Sequence, residues 1–146
     1  MKSTAVALIV SAALLTGCAA SGPTHKSMAA SIPTLKADQG RVYFYRNNSM
    51  LGAAVQPLIK LDGAVVGESK PGGFFYVDTN TGSHEASTST EATNKVGFVL
   101  DKGEVKYVRT KIQMGLLVGH AVPELVSANE ATKELSETSY TGAVAK

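Results

Sequence analysis

Hydrophobic and polar positions divide the chain into four stretches. Residues 5–15 form an uncharged apolar run of 11 residues behind Met1-Lys2. Residues 19–39 are rich in Ala, Ser and Thr, contain Pro23 and Pro33, and keep no apolar period. From Gly40 onward, short runs that alternate in twos are separated by turn residues, which predicts strands. A helical period appears only near the end.

Arg41-Val42-Tyr43-Phe44-Tyr45-Arg46 is β-branched and aromatic, with Gly40 before it and Asn47-Asn48-Ser49 after it. It is predicted to be a strand. Val42 and Phe44 share one face, Tyr43 and Tyr45 the other. Both faces are bulky, so a central position is expected. Leu58-Ile59-Lys60-Leu61 leads into Asp62-Gly63 and then Ala64-Val65-Val66-Gly67. Asp-Gly between apolar segments predicts a hairpin with a type I′ turn, which needs positive φ at both central positions. Further strands are expected over 74–77, 84–90, 96–100 and 105–114. Lys70-Pro71-Gly72-Gly73, Thr79-Asn80-Thr81-Gly82 and Asp101-Lys102-Gly103 mark the turns. Gly67 is read as a turn glycine too. Residues 114–119, Met-Gly-Leu-Leu-Val-Gly, fit a buried strand with glycine bends or an apolar edge that docks a partner.

Ser127-Ala128-Asn129-Glu130 is a capping-box pattern and predicts a short helix over about residues 128–137. Ala128, Ala131, Thr132 and Leu135 line one of its faces. Strands at turn spacings near ten residues, without alternating long helices, define the expected class. It is mainly β: an antiparallel β-sandwich of about seven strands with one short C-terminal helix. The expected organisation is a signal peptide over 1–17, a cysteine and flexible tether over 18–39, the sandwich over 40–140 and a frayed tail over 141–146. A tether of about 20 residues reaches at most roughly 70 Å.

Charge adds little. Fourteen basic residues against 12 acidic ones give +2, and loss of residues 1–17 would remove Lys2. No polybasic patch is present, so nucleic acid is not an expected partner. The single cysteine, Cys18, rules out an internal disulfide framework.

The apolar run ends in Leu15-Thr16-Gly17-Cys18. It is too short to span a bilayer and fits a secretory signal. With its small residues before the cysteine, it resembles the lipobox of bacterial lipoproteins. The resemblance implies cleavage before Cys18 and lipidation of its thiol and new amino terminus. Two or three acyl chains would anchor the protein firmly, where one holds only marginally. Ala19 in place of aspartate implies, by the same resemblance, an outer-membrane address. A periplasm-facing domain is the separate expectation.

The run Leu61-Asp62-Gly63-Ala64-Val65-Val66-Gly67, then Pro71-Gly72-Gly73-Phe74-Phe75 and Gly82-Ser83-His84, resembles the small β-sandwich modules of the carboxypeptidase-regulatory-like and PEGA types. Together with residues 103–109 and 115–119, it looks like a family of bacterial envelope lipoproteins catalogued as a domain of unknown function. The resemblance covers roughly residues 40–135 and carries over no catalytic or binding residue.

Candidate chemistry is sparse. Ser83, His84 and Glu85 are consecutive, so on a strand they cannot form a relay with one another. Asp62 or Asp78 would meet His84 only through the fold. His25, His84 and His120 show no metal-ligand spacing, and no glycine cradle for phosphate is present. Tyr43, Tyr45, Phe74, Phe75, Tyr76 and Tyr107 could stack on sugars or peptides, but a sandwich without tryptophan needs such side chains in its core. The expectation is therefore a non-enzymatic lipoprotein with no cofactor, no metal and no catalytic residue. Its partners would be a membrane, through Cys18, and another envelope protein or peptidoglycan. The first alternative is a structural lipoprotein that contacts peptidoglycan, and the second, behind it, is a small periplasmic hydrolase.

Overall fold

The bulky faces of residues 41–46 are explained by what covers them. A computed structural model describes residues 19–143. Along the chain lie α1 (His25–Met28), β1 (Gln39–Tyr45), β2 (Leu58–Leu61), β3 (Ala64–Glu68), β4 (Gly73–Asn80), β5 (Gly82–Ser89), β6 (Thr93–Leu100), β7 (Val105–Gln113), β8 (His120–Val126), α2 (Ala128–Leu135) and β9 (Ser139–Tyr140). They build two sheets, in the orders β8-β7-β1-β4-β9 and β3-β2-β5-β6. β1 is the middle strand of the first sheet. Its Val42 and Phe44 enter the core between the sheets with Ile59, Leu61, Phe75 and Leu100. Burial of each such side chain stabilises the fold by about 2 kcal/mol. Tyr43 and Tyr45 point the other way, into a second cluster with Phe74, Ala131 and Leu135.

The class is mainly β and sandwich-like, as expected, with nine strands among the described residues rather than about seven. The sheets are not wholly antiparallel: β1 pairs with β7, and β4 with β9, in parallel. The cause lies in the crossings. After β1 the chain builds β2 and β3 in the second sheet, returns as β4, and crosses again for β5 and β6. It then re-enters beside the start of β1, where the Arg41 amide donates to the Glu104 carbonyl at 2.9 Å. β7 must therefore run in the same direction as β1. β8 and β9 have no counterpart in the sequence reading. Pro123 interrupts the strand pattern over 120–126, but β8 is an edge strand, where a residue without an N–H is tolerated.

Asp62-Gly63 closes the β2–β3 hairpin as expected, with φ of 51° and 83°. Gly67 is not a turn residue. It lies within β3, opposite Ile59, and a Cβ there would stand 2.4 Å from Cζ of Phe75. The Phe75 ring is stacked on Phe44 at 5.1 Å and cannot retreat.

The expected free tether over 19–39 is also corrected. This segment lies on the outer face of the first sheet. Thr24 caps α1 and bridges to Ser139. The His25 amide donates to the Thr138 carbonyl at 3.1 Å. The His25 ring stands edge-on to Tyr43 and Phe74, at 5.6 and 5.1 Å, and Met28 and Ile32 pack on the same cluster. Burial pushes the His25 imidazole below its ordinary pKa. The physical reason for docking is the aromatic outer face of β1, β4 and β7, which would otherwise be left in water. Two isolated apolar residues, Met28 and Ile32, are too few to show a period in the sequence.

The Gly67 contact gives a direct check. Gly67→Ala should destabilise the domain by about 1–3 kcal/mol through overpacking against Phe75, read as a lowered denaturation midpoint. An unchanged midpoint would contradict the close approach.

Candidate functional site

The densest polar grouping sits where α2 crosses the outer face of the first sheet. Ser127 caps α2 by accepting from the Glu130 amide at 3.3 Å, and Ala131 and Leu135 bury its apolar face. That orientation turns Glu130 and Glu134, one helical turn apart, toward β7. Arg109 on β7 meets both, through Nη1 at 2.8 and 2.6 Å, and holds Glu124 of β8 through Nε at 2.7 Å. Lys111 adds a second contact to Glu124 at 2.9 Å. Tyr45 donates its hydroxyl to Glu134 at 2.5 Å, and Asn47 donates its amide at 3.0 Å.

The electrostatics follow from this geometry. Burial alone would raise the Glu134 pKa, but donors from Tyr45, Asn47 and Arg109 outweigh it and hold the carboxyl below its usual range. The same balance, with Lys111 and Arg109 as donors, lowers Glu124. Burial works against the Arg109 charge, yet its glutamates win and raise its pKa. Burial, then Glu134, pushes the Tyr45 hydroxyl well up, so it stays a donor. Carboxylates held this low are poor general acids and bases at neutral pH. The network instead pins α2 onto the sheet. Sequence reasoning reads Glu130 as part of the capping box; it misses Glu134, four residues on along the same face, and their shared partner on β7.

Two hollows flank this network. One, of about 360 Å³, is bordered by Arg46, Asn47, Arg109, Lys111 and Glu134. The other, of about 470 Å³, lies between Asn47, Asn48, Lys133 and Glu137. Arg46 is buried and donates to the carbonyls of Val55 at 2.5 Å and Gly52 at 2.8 Å. Burial lowers its pKa. Its role is to tie the long connection between β1 and β2 to the sheet.

The residues singled out from the sequence are spread apart. On β5, His84 places Nδ1 2.6 Å from Asp62 and Nε2 2.8 Å from the Asn80 carbonyl. Pairing of β2 with β5 brings the Asp62 turn beneath His84. Both ring nitrogens face acceptors, which leaves neither to activate a nucleophile. Glu85 pairs with Lys95 at 2.8 Å. Asp78 is gripped by Arg41 through two bonds of 2.6 and 2.8 Å. His25 belongs to the aromatic cover, and His120 lies 3.5 Å from Glu91. Among the described residues no three His, Cys, Asp or Glu side chains gather in a metal-holding group. Tyr43, Phe74, Tyr76 and Tyr107 form one aromatic face, with Tyr43 and Tyr107 stacked at 5.5 Å, beneath the N-terminal segment. Cys18 lies outside the described residues.

Residues 114–119 do not form a buried strand, the first of the two readings of the sequence; their large apolar side chains are exposed, as the second required, but in a loop and not along a strand edge. They are the β7–β8 loop, with Met114, Leu116 and Leu117 more than four-fifths exposed. The loop turns too tightly to continue the ladder: a Cβ on Gly115 would strike the Val118 carbonyl oxygen. The Glu91 carboxylate accepts from the amides of Leu116 at 3.0 Å, Leu117 at 2.7 Å and Val118. These bonds, the Val118 amide first, hold the Glu91 carboxyl below its usual range. Nothing in the sequence linked Glu91 to this loop.

Fold and polar network together define a mixed-sheet β-sandwich closed on one face by a helix and by its own N-terminal segment. The chain belongs to the family described as protein of unknown function (DUF2846), whose model matches residues 36–122. It is also similar to an uncharacterized protein of Haemophilus influenzae (strain ATCC 51907 / DSM 11121 / KW20 / Rd), at 33% identity over 97 residues. That match covers 66% of this chain and 57% of the relative, so the chain spans little more than half of that protein's length. No solved structure matches the chain.

Two outcomes follow from the Arg109 network. Arg109→Met should cost about 2–4 kcal/mol in chemical denaturation, because it strands partly buried carboxylates, with the half-exposed Glu130 adding least. A loss below 0.5 kcal/mol would contradict the bracing role. Glu124 and Glu134 have folded-state pKa values below their unfolded ones. Their contribution is therefore complete above about pH 4.5 and is lost as pH falls through the lowered values. Unfolding midpoints measured across that range should drop, and drop less steeply in Arg109→Met.

Proposed function

We propose that this chain is a lipid-anchored bacterial cell-envelope lipoprotein whose β-sandwich is a non-catalytic binding or assembly domain. The observation that carries this reading is Leu15-Thr16-Gly17-Cys18 at the end of the apolar run over 5–15. A thiol after small residues at that place is the acceptor for a diacylglycerol. Ala19 in the next position favours the outer membrane, with the domain in the periplasm.

The folded part supports the non-catalytic half of the reading through what its reactive groups already do. His84 is held by two acceptors, Asp78 by Arg41, and the glutamates of α2 by Arg109. The hairpin over 61–67 and the strand start at Gly82 support the likeness to small PEGA-type sandwich modules. Such a domain acts by presenting surface, and its surface here includes the two hollows beside α2 and the apolar β7–β8 loop.

Intact mass and membrane fractionation of the wild type and Cys18→Ser test the anchor. The wild type should carry the mass of residues 18–146 plus acyl groups and sediment with outer membrane, and Cys18→Ser should lose both properties. An unmodified, soluble wild type would overturn the proposal.

A further inference from the structure

Strand register gathers four connections at one end of the sandwich. β1 runs toward that end and β4 starts there, since Tyr45 pairs with Phe74. β7 ends there and β8 starts there, with Gln113 opposite His120. Ser89 faces Thr93 at the same end of the second sheet, and the Ser69 amide donates to the Pro57 carbonyl. Connections 46–57, 69–72, 90–92 and 114–119 therefore form one rim.

This rim holds the most exposed large apolar side chains among the described residues. Leu116 is 96% exposed, Leu117 92%, Met50 91% and Met114 82%. Leu51 and residues 114–119 line one shared hollow, so the two apolar loops are neighbours. Exposure is built in, not a result of slack. Glu91 fixes three successive amides of one loop, and Arg46 fixes the Gly52 carbonyl of the other. Rigidly presented apolar tips mark a surface made to leave water.

The N-terminal segment reaches the same rim. The Ala20 amide donates to the Pro71 carbonyl at 3.0 Å. Cys18 is two residues further back, a reach of about 7 Å. We propose that this rim is a membrane-seating face, with Leu116, Leu117, Met114 and Met50 dipping into the bilayer that holds the acyl chains of Cys18. The inference rests on the lipid-anchor reading. The anchor fixes the occupant: acyl chains so close to the rim bring the bilayer interface to it and leave little room for a protein between them. Seating adds weak apolar burial to the lipid anchor and sets the orientation of the domain, with the Asp62-Gly63 and 101–104 turns pointing away from the membrane.

The test uses the full-length acylated protein in vesicles of phosphatidylethanolamine and phosphatidylglycerol. Leu117→Cys and, at the opposite end, Lys102→Cys each carry an environment-sensitive fluorophore. Both positions are exposed, so neither variant disturbs the core. The Leu117 probe should shift to the blue and be quenched several-fold more by acyl-chain nitroxides than the Lys102 probe. Two probes equally in water, on protein whose mass shows acylation, would overturn the seating and leave the anchor standing. Unacylated Cys18 would overturn both. A Leu117 probe shielded only on addition of envelope proteins, without nitroxide quenching, would identify a protein occupant and overturn the bilayer.

Discussion

The structure depends on a single strand buried on both faces. β1 carries Val42 and Phe44 into the inter-sheet core and Tyr43 and Tyr45 into the outer cluster. Two sheets satisfy the first face. The second needs a separate cover, supplied from outside the two sheets. α2 covers the Tyr45 side with Ala131 and Leu135, and residues 19–39 cover the Tyr43 side with His25, Met28 and Ile32. An aromatic strip left in water would be the largest liability of the fold, so segments outside the sheets are drawn onto it.

Polar groups follow that constraint. Arg41 shares the outer face of β1 with Tyr43. It is buried, lies 4.6 Å over the Tyr76 ring, and joins Asp78 of β4 to the Pro33 carbonyl of the docked segment. The Asp78 hydrogen bond raises its pKa against the cost of burial. Arg109 does the same for the other half of the cover by gathering Glu124, Glu130 and Glu134. Each arginine thus fastens one covering segment, and the planar fork of donors suits several oxygens at once. Docking of the N-terminal segment has a functional consequence. It turns the expected flexible tether into a docked segment whose described start, at the Ala20 amide on the Pro71 carbonyl, lies at one end of the domain; under the proposed lipid anchor, that end would face the membrane.

Local chemistry was legible in the sequence wherever one residue type decides a conformation. Asp62-Gly63 specified its hairpin, Ser127 its helix cap, and the doubled bulk of residues 42–45 the central strand. Sheet assignment was not legible, because parallel pairing of β1 with β7 depends on two excursions into the second sheet that leave no local mark. The same holds for Gly67, where strand and turn glycines look alike until Phe75 is placed above it. The polar sites were half legible. Glu130 was read as part of the capping box, but Glu134 was not read, and Arg109 enters only through the register of β7. Of the two readings of residues 114–119, apolar content favoured burial, whereas Glu91 fixes this stretch as a loop in the open.

The central claim is that the chain's own N-terminal segment closes the second face of β1, and hydrogen exchange on the protein tests it most directly. The amides of Ala20 and His25 find their acceptors, the carbonyls of Pro71 and Thr138, only when the segment is docked. The account predicts that both exchange well below the rate of a free chain, together with Ile32. Exchange of all three at the free-chain rate, with β1 still protected, would show a loose tether and contradict it.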